Sequence, residues 1–319
     1  MSLERAFELA ARVKPRDVSP NPRVGCVIVK NGRVVGEGAH RVFGGPHAEI
    51  VALKKAGARA KGAVAYVTME PCVSFPGKKT PSCADALAAA GIKTIVVARL
   101  DPNPKVRSLG LRRLRESGIK TLVSPSCAEQ SVALNRGFVS RMERGRPWVI
   151  LKVALSLDGK AAAASGKSRW VTGPESRNDV HRVRAEVDAI LVGAGTVRAD
   201  DPALTAHGAG PDPLRVVLQG RRPLPKKAKV LDGSVQTVVY KGPLKAALAD
   251  LAARGVGTLL VEGGPTVHAS FLREGLVDEA MVYLAPKLLA GADDPNTAPR
   301  LKAPKVARLG DDWLIQGAL

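Results

Sequence analysis

The sequence is poor in aromatic residues, in cysteine and in acid. Phe, Trp and Tyr make up only 3% of its 319 residues, which leaves little for the stacking platforms on which single-stranded nucleic acids lie. The four cysteines, Cys26, Cys72, Cys83 and Cys127, are too few for a disulfide scaffold, and a reducing compartment leaves them for packing or metal. No apolar run approaches the ~18 residues a membrane span needs. The opening "MSLERAFELAARVKPR" carries Glu4 and Glu8 and reads as an amphipathic helix, not a secretory signal. A cytoplasmic protein with no membrane partner is expected. Asp and Glu number 29 against 49 Lys and Arg, a formal charge of +20. That surplus suits a polyanion or anionic small substrates. Because a phosphate and a dinucleotide need only a handful of cations, most of it is expected to be a solvated basic surface.

What is present is alternation. The length suggests two domains of roughly 150 residues each. A helix is expected near 3–13, then apolar runs "CVIVK" and "RVVGEG", the helical "AEIVALKKAG", "AVAYVTM", a helix near 82–90, "TIVVA", a helix near 108–117, "IKTLV" and a helix near 127–142. Strands interleaved with helices imply an α/β layer fold with some parallel pairing. The polar "ERGRP" offers a linker, and a boundary at 145 divides the chain into 1–144 and 145–319. "WVILKVALSLDGK" opens a second series through the helical "SRNDVHRVRAEV", the strands "AILVG" and "LRVVLQ", and "LLVEGGPTVHASF". All four cysteines lie in the first half, so the halves are expected to do different jobs. The basic "RRPLPKKAK" (221–229) reads as a solvated connector.

The densest chemistry lies in "GPHAEIVALKKAG" and "PCVSFPGKKTPSC". Zinc bound by one imidazole and two thiolates keeps a position for water and lowers its pKa toward neutrality. A nearby carboxylate must then move the proton to a leaving amine. Zinc deaminases place these groups as H-x-E, then P-C, then a second Cys, with the Glu outside the coordination sphere. The chain supplies His47, Glu49, Pro71, Cys72 and Cys83 in that order. His47, Cys72 and Cys83 are therefore candidate zinc ligands and Glu49 the candidate proton shuttle. Helices expected to start near Pro46 and at Cys83 would favour thiolate there. Taken singly, each cysteine would be a small core residue and His47 a helix cap; Cys26 and Cys127 are expected to be core thiols. Ten residues separate Cys72 from Cys83, where the short deaminase pattern has two. In the second half no G-x-G-x-x-G occurs, so a Rossmann site is not indicated. "LLVEGGPTV" instead offers a strand, paired glycines and a helix start able to receive a phosphate.

Together, "PNPRVGCVIVKNGRVVGEGAH", "PHAE", "TMEPC" and "GKKTPSC" resemble the deaminase domain of the bifunctional riboflavin-biosynthesis deaminase/reductases. "LKVALSLDGKAAAASGKSRWVTG", "DAILVGAGTVRADDPALT" and "LLVEGGPTV" resemble the reductase domain of that family. The resemblance runs from about 1 to 290. It implies a cytidine-deaminase-like three-layer domain followed by a dihydrofolate-reductase-like domain, with Zn2+ and NADPH as cofactors. It also implies small pyrimidine ribosyl phosphates as substrates; a homo-oligomer and no nucleic-acid partner are expected besides. By the same resemblance Asn21 and the turn Asp101–Val106 would line the pyrimidine pocket. Ala154, Trp170, Thr196 and Asp200 would contact the cofactor, with Gly264, Pro265, Thr266, Val267, His268, Ala269 and Ser270 under its phosphates. Lys152, Ser168, Arg184, Leu204, His207 and Glu262 would contact the substrate, and Asp200 would orient or protonate the reacting group.

Four features depart from the family pattern. Ser82 stands where a second Pro is usual, the Cys72–Cys83 loop is about two residues longer, His207 replaces an arginine, and Gln219 with Gly220 replace Asp and Ser. Neutral imidazole cannot make a guanidinium's bidentate contact, so Arg184 is expected to compensate for His207. Two rivals remain. A nucleic-acid deaminase would use the basic C-terminal half to grip RNA, and a purely structural metal would require four protein ligands.

Overall fold

The computed structural model describes residues 2–76, 80–309 and 312–318. By its contacts the chain forms two units: Met1–Trp148 with Glu186–Asp188 and Gly242–Thr258, and Val149–Ala185 with Ala189–Lys241 and Leu259–Leu319.

In the first unit the alternation becomes α1 (Ser2–Ala11), α2 (Pro15–Val18), β1 (Gly25–Lys30), β2 (Arg33–Ala39), α3 (Ala48–Ala56), β3 (Val64–Val67), α4 (Cys83–Ala89), β4 (Thr94–Val97), α5 (Leu109–Glu116), β5 (Lys120–Val123), α6 (Ala128–Leu134) and α7 (Arg136–Arg144). The strands lie in the order β2-β1-β3-β4-β5. β1 is antiparallel to both β2 and β3, and β3, β4 and β5 run parallel. Because successive strand residues face opposite sides, Val27 packs in one layer with Ala6, Leu9 and Val18. Cys26 and Ile28 pack in the other with Ala52, Leu87, Ile95 and Leu114. The unit is thus the expected three-layer sandwich. Close approach fixes its front: a Cβ on Gly38 of β2 would stand 2.6 Å from the Ala48 carbonyl oxygen, so only glycine lets the start of α3 lie directly on the sheet.

One helix expectation fails here. The segment near 127–142 is two helices, interrupted at Asn135. That side chain is buried, accepting from the Arg23 N–H (2.7 Å) and donating to the Arg23 carbonyl (3.0 Å). It serves the backbone beside Asn21 as a strand neighbour would.

The remaining elements are β6 (Trp148–Ser156), α8 (Pro174–Glu186), β7 (Ala189–Gly193), α9 (Ala194–Asp200), β8 (Leu214–Leu218), β9 (Thr237–Tyr240), α10 (Leu244–Ala253), β10 (Thr258–Gly263), α11 (Pro265–Arg273), β11 (Glu279–Ala285), β12 (Lys302–Leu309) and β13 (Asp312–Ala318). Six strands form one sheet in the order β11-β6-β10-β7-β8-β9, while β12 and β13 form a separate hairpin. The pairs β11·β6, β10·β7, β7·β8 and β8·β9 are parallel. Every residue of β7, "AILVG", is buried, as a strand covered on both faces requires.

Candidate active sites

His47 precedes α3 in extended conformation and its side chain does not cap the helix. Its Nδ1 lies 3.4 Å from Cys72 Sγ and 3.3 Å from Cys83 Sγ. The three ligand atoms fall within 4.8 Å of one another, the one such group of His, Cys, Asp or Glu among the described residues. Nδ1 faces the sulfurs, so Nε2–H is left to donate to Thr80 Oγ1 at 3.1 Å, the kind of contact that fixes a ligating imidazole. Cys83 opens α4 behind Ser82, as expected. The departure at Ser82 has a function in the fold: its hydroxyl accepts from the Asp85 N–H (3.1 Å) and donates to the Cys72 carbonyl (3.3 Å). The serine thereby ties one sulfur-bearing residue to the helix of the other. Gly77, Lys78 and Lys79 of this loop lie outside the described residues.

Glu49 is 3% exposed and is not one of the three grouped ligands. Burial, reinforced by the neighbouring Cys72 charge, pushes its carboxyl up to about 7, the range in which a group both takes and gives a proton. The Cys72 thiol is held well below its usual value by the hydrogen bond with Cys83, against the opposing effect of burial, and by His47. Cys26 is a buried core thiol as expected, but Cys127 is not: it is half-exposed beside Ser124 and Ser126, because the chain leaves the sheet there in a short 3-10 turn.

A cavity of about 260 Å³ adjoins the group, lined among others by Asn21, His40, Glu49, Asp101, Asn103 and Val106. Asn21 and the 101–106 turn thus share one cavity with His47 and Cys72 of that group. His40 and Glu70 were not foreseen. Buried His40 faces the Pro46 carbonyl through Nδ1 (3.1 Å) and the Asn21 amide nitrogen through Nε2 (3.3 Å). Since a carbonyl only accepts and an amide nitrogen only donates, the imidazole is neutral with its proton on Nδ1, and burial lowers its pKa in the same sense. It turns the Asn21 carbonyl oxygen away from itself. Burial also pushes the Asp101 carboxyl up to about 7, with the Glu70 and Cys72 charges adding to it.

In the second unit several of the predicted residues contact one another. Arg184 grips Glu262 bidentately at 2.7 and 2.9 Å and donates to the Thr205 carbonyl at 3.0 Å, with Lys152 Nζ 3.9 Å from the same carboxylate. Burial alone would raise the Glu262 pKa, yet Arg184 and Lys152 hold it below the ordinary value. The guanidinium expected to compensate for His207 is thus already engaged; His207 instead stacks on His181, with centroids 4.3 Å apart. Ser168 Oγ donates to Asp200 Oδ1 at 3.5 Å, and Arg169 donates to the Asp200 carbonyl. Trp170 is 50% exposed with the Arg177 guanidinium 4.5 Å from its ring centroid. Thr196 Oγ1 donates to the Gly263 carbonyl at 3.0 Å. Gly264 is at φ +87°, and a Cβ there would stand 2.8 Å from Thr196 Oγ1 and force that side chain to shift. α11 follows with Pro265 in its first turn. Val267 fills the space beside Gly193 and Gly263, and Ser270 bonds back to the Thr266 carbonyl. His268 bonds the Val261 carbonyl and lies close enough to Lys152 and Glu262 to feel their charges. Leu204 is buried, and Ala154 lies opposite Tyr283 across the β6·β11 pair.

Residues 1–99 match the cytidine and deoxycytidylate deaminase zinc-binding region, and residues 147–315 match the RibD C-terminal domain. The chain is 39% identical to riboflavin biosynthesis protein RibD of Escherichia coli, covering 97% of this chain and 96% of that protein. The structure of Acinetobacter baumannii RibD superposes with a TM-score of 0.84 at 38% identity, covering 98% of this chain and 96% of the other. A Thermotoga maritima diaminohydroxyphosphoribosylaminopyrimidine deaminase/5-amino-6-(5-phosphoribosylamino)uracil reductase does so with a TM-score of 0.80 at 34% identity, with the same coverage.

Proposed function

The chain belongs to the RibD family of bifunctional riboflavin-biosynthesis deaminase/reductases, and from that premise we propose its two reactions. It hydrolytically deaminates 2,5-diamino-6-ribosylamino-4(3H)-pyrimidinone 5′-phosphate and then reduces the ribosyl group to ribityl with NADPH. Deamination belongs to residues 1–144 and reduction to 145–319.

The observation that carries the reading is the convergence of one imidazole nitrogen and two sulfurs beside a buried carboxyl group. This donor set suits zinc, and three protein ligands leave a coordination position for water. Bound there, the metal would lower the pKa of that water. Glu49 accepts the proton as the new C–O bond forms and delivers it to the amine, which departs as ammonia when the C–N bond breaks. Asn21, oriented by His40, and the 101–106 turn hold the pyrimidine over Glu49.

In the second unit, the Gly264 backbone and the start of α11 suit a phosphate, because a glycine lets its backbone approach a ligand closely and a helix start offers N–H groups to an anion. NADPH would supply the two electrons and the hydrogen gained at C1′. Ala154, Trp170, Thr196 and Asp200 hold the cofactor together with Gly264–Ser270. Lys152, Ser168, Arg184, Leu204, His207 and Glu262 hold the substrate, and Asp200, hydrogen-bonded by Ser168, orients the reacting sugar. The RNA-deaminase reading is not favoured: the half it would assign to RNA matches the RibD C-terminal domain.

The protein acts in the cytoplasm, where its thiol ligands stay reduced, and as a homo-oligomer. The second point rests on an uncovered surface: Val306 and Trp313 of the β12–β13 hairpin are 60% and 66% exposed, and Val282 of edge strand β11 is 58% exposed. A lone two-stranded hairpin and an open apolar edge both gain from a covering partner. The test of the reading is to supply the pyrimidinone phosphate with and without NADPH, following ammonia and nicotinamide absorbance separately. Ammonia should appear in both mixtures and nicotinamide oxidation only after it; no ammonia in either sinks the proposal.

A further inference from the structure

Glu70 is 3% exposed and lies two residues before Cys72. Its Oε2 accepts from the N–H groups of Asp101 (3.1 Å) and Ser108 (3.0 Å), and its Oε1 accepts from Leu111 N–H (3.0 Å). Its own N–H donates to the Arg99 carbonyl at 3.0 Å. A desolvated carboxylate is satisfied by such charge-assisted bonds, and here all three run to one stretch, 101–111. That stretch continues the pattern internally: Asp101 Oδ1 accepts from the Asn103 N–H at 2.8 Å, and Asn103 Oδ1 accepts from the Lys105 N–H at 3.1 Å. Asp101, Asn103 and Val106 line the cavity that also meets His47, Glu49 and Cys72. The crossing is close as well as bonded, since a Cβ on Gly110 would come within 2.0 Å of the Pro71 carbonyl oxygen.

We propose that Glu70 is a positioning residue for deamination: its buried carboxylate suspends the substrate-facing wall 101–111 from the segment that carries the metal ligand Cys72. The wall and the metal-ligating group therefore share one anchor, and the place of the wall that meets the substrate is set at Glu70. This rests on the deaminase reading above.

Glu70→Gln keeps the shape but puts an NH₂ group against N–H groups that need an acceptor. Bonds of this kind to a charged partner are worth roughly tenfold or more in an equilibrium constant. KM for the pyrimidinone phosphate should rise about tenfold, with kcat within about twofold of wild type, zinc content unchanged and NADPH-dependent reduction unaffected. Amide hydrogen exchange at Asp101, Ser108 and Leu111 should accelerate together. A variant with wild-type KM and only a lower melting temperature overturns the proposal, as does a fall in kcat at unchanged KM. Gly110→Ala pushes on the same wall from the helix side and should raise KM likewise; an unchanged KM there also overturns it. Failure of the deaminase reading is distinguishable, because the wild-type protein would then release no ammonia, while the exchange measurement still reads the anchor without substrate.

Discussion

In the first unit the reactive groups are side chains delivered by the starts of two helices: His47 before α3 and Cys83 at the head of α4, with Cys72 between them in the chain. In the second unit the proposed site is built instead from backbone shape at Gly263 and Gly264 and from paired charges, Arg184 and Lys152 about Glu262. A metal-ligating site demands particular donor atoms. A nucleotide site demands room and a helix start, which many residues supply. The first kind of site is lost when one atom changes, whereas the second degrades by degrees.

The sharpest way to break the comparison is to delete one function on each side. Glu49→Gln should lower ammonia release on the order of 10³-fold, with zinc retained by elemental analysis and NADPH oxidation on pre-deaminated substrate intact. Asp200→Asn should lower NADPH oxidation about 10²-fold with ammonia release unchanged; comparable damage to both steps would unite sites that are here kept apart. Next comes Glu262→Gln, which leaves Arg184 and Lys152 facing each other without a counter-charge and should cost about 3 kcal/mol in urea unfolding. Its pH dependence has a fixed sign. The folded Glu262 pKa lies below its unfolded value, so its contribution is whole above about pH 4.3 and is lost as pH falls through the folded pKa. The stability gap between wild type and variant should thus be level near neutrality and narrow in acid; a widening gap would contradict the charge arrangement. The smallest effect is expected from Gly264→Ala, where strain at positive φ should raise KM for NADPH about tenfold while leaving deamination alone.

This contrast also governs what could be read from the sequence. His47, Glu49, Cys72 and Cys83 were legible because their chemistry fixes both residue types and order, and the strands and helices of the first unit were legible from their apolar period. Glu70 and His40 were not, since their roles consist of hydrogen bonds to residues 31 or more positions away for Glu70 and to Asn21 for His40. The break at Asn135 was hidden for the same reason: only its pairing with Arg23 explains why the helix stops. In the second unit the glycines and the strand "AILVG" stood out. The engagement of Arg184 by Glu262 joins residues 78 positions apart and has no local signature, and the hairpin of β12 and β13 lacks the clean apolar alternation of a half-buried strand.

Cys127 sits half-exposed at the surface, while Cys26 is shut inside the sheet with its thiol pushed up by burial. A thiol-reactive dye offered to folded, zinc-loaded protein therefore meets a single ready sulfur. Chelation releases Cys72, which faces the cavity and favours thiolate, as a second. Counting labelled sulfurs would convert metal occupancy into an absorbance reading, with no substrate required.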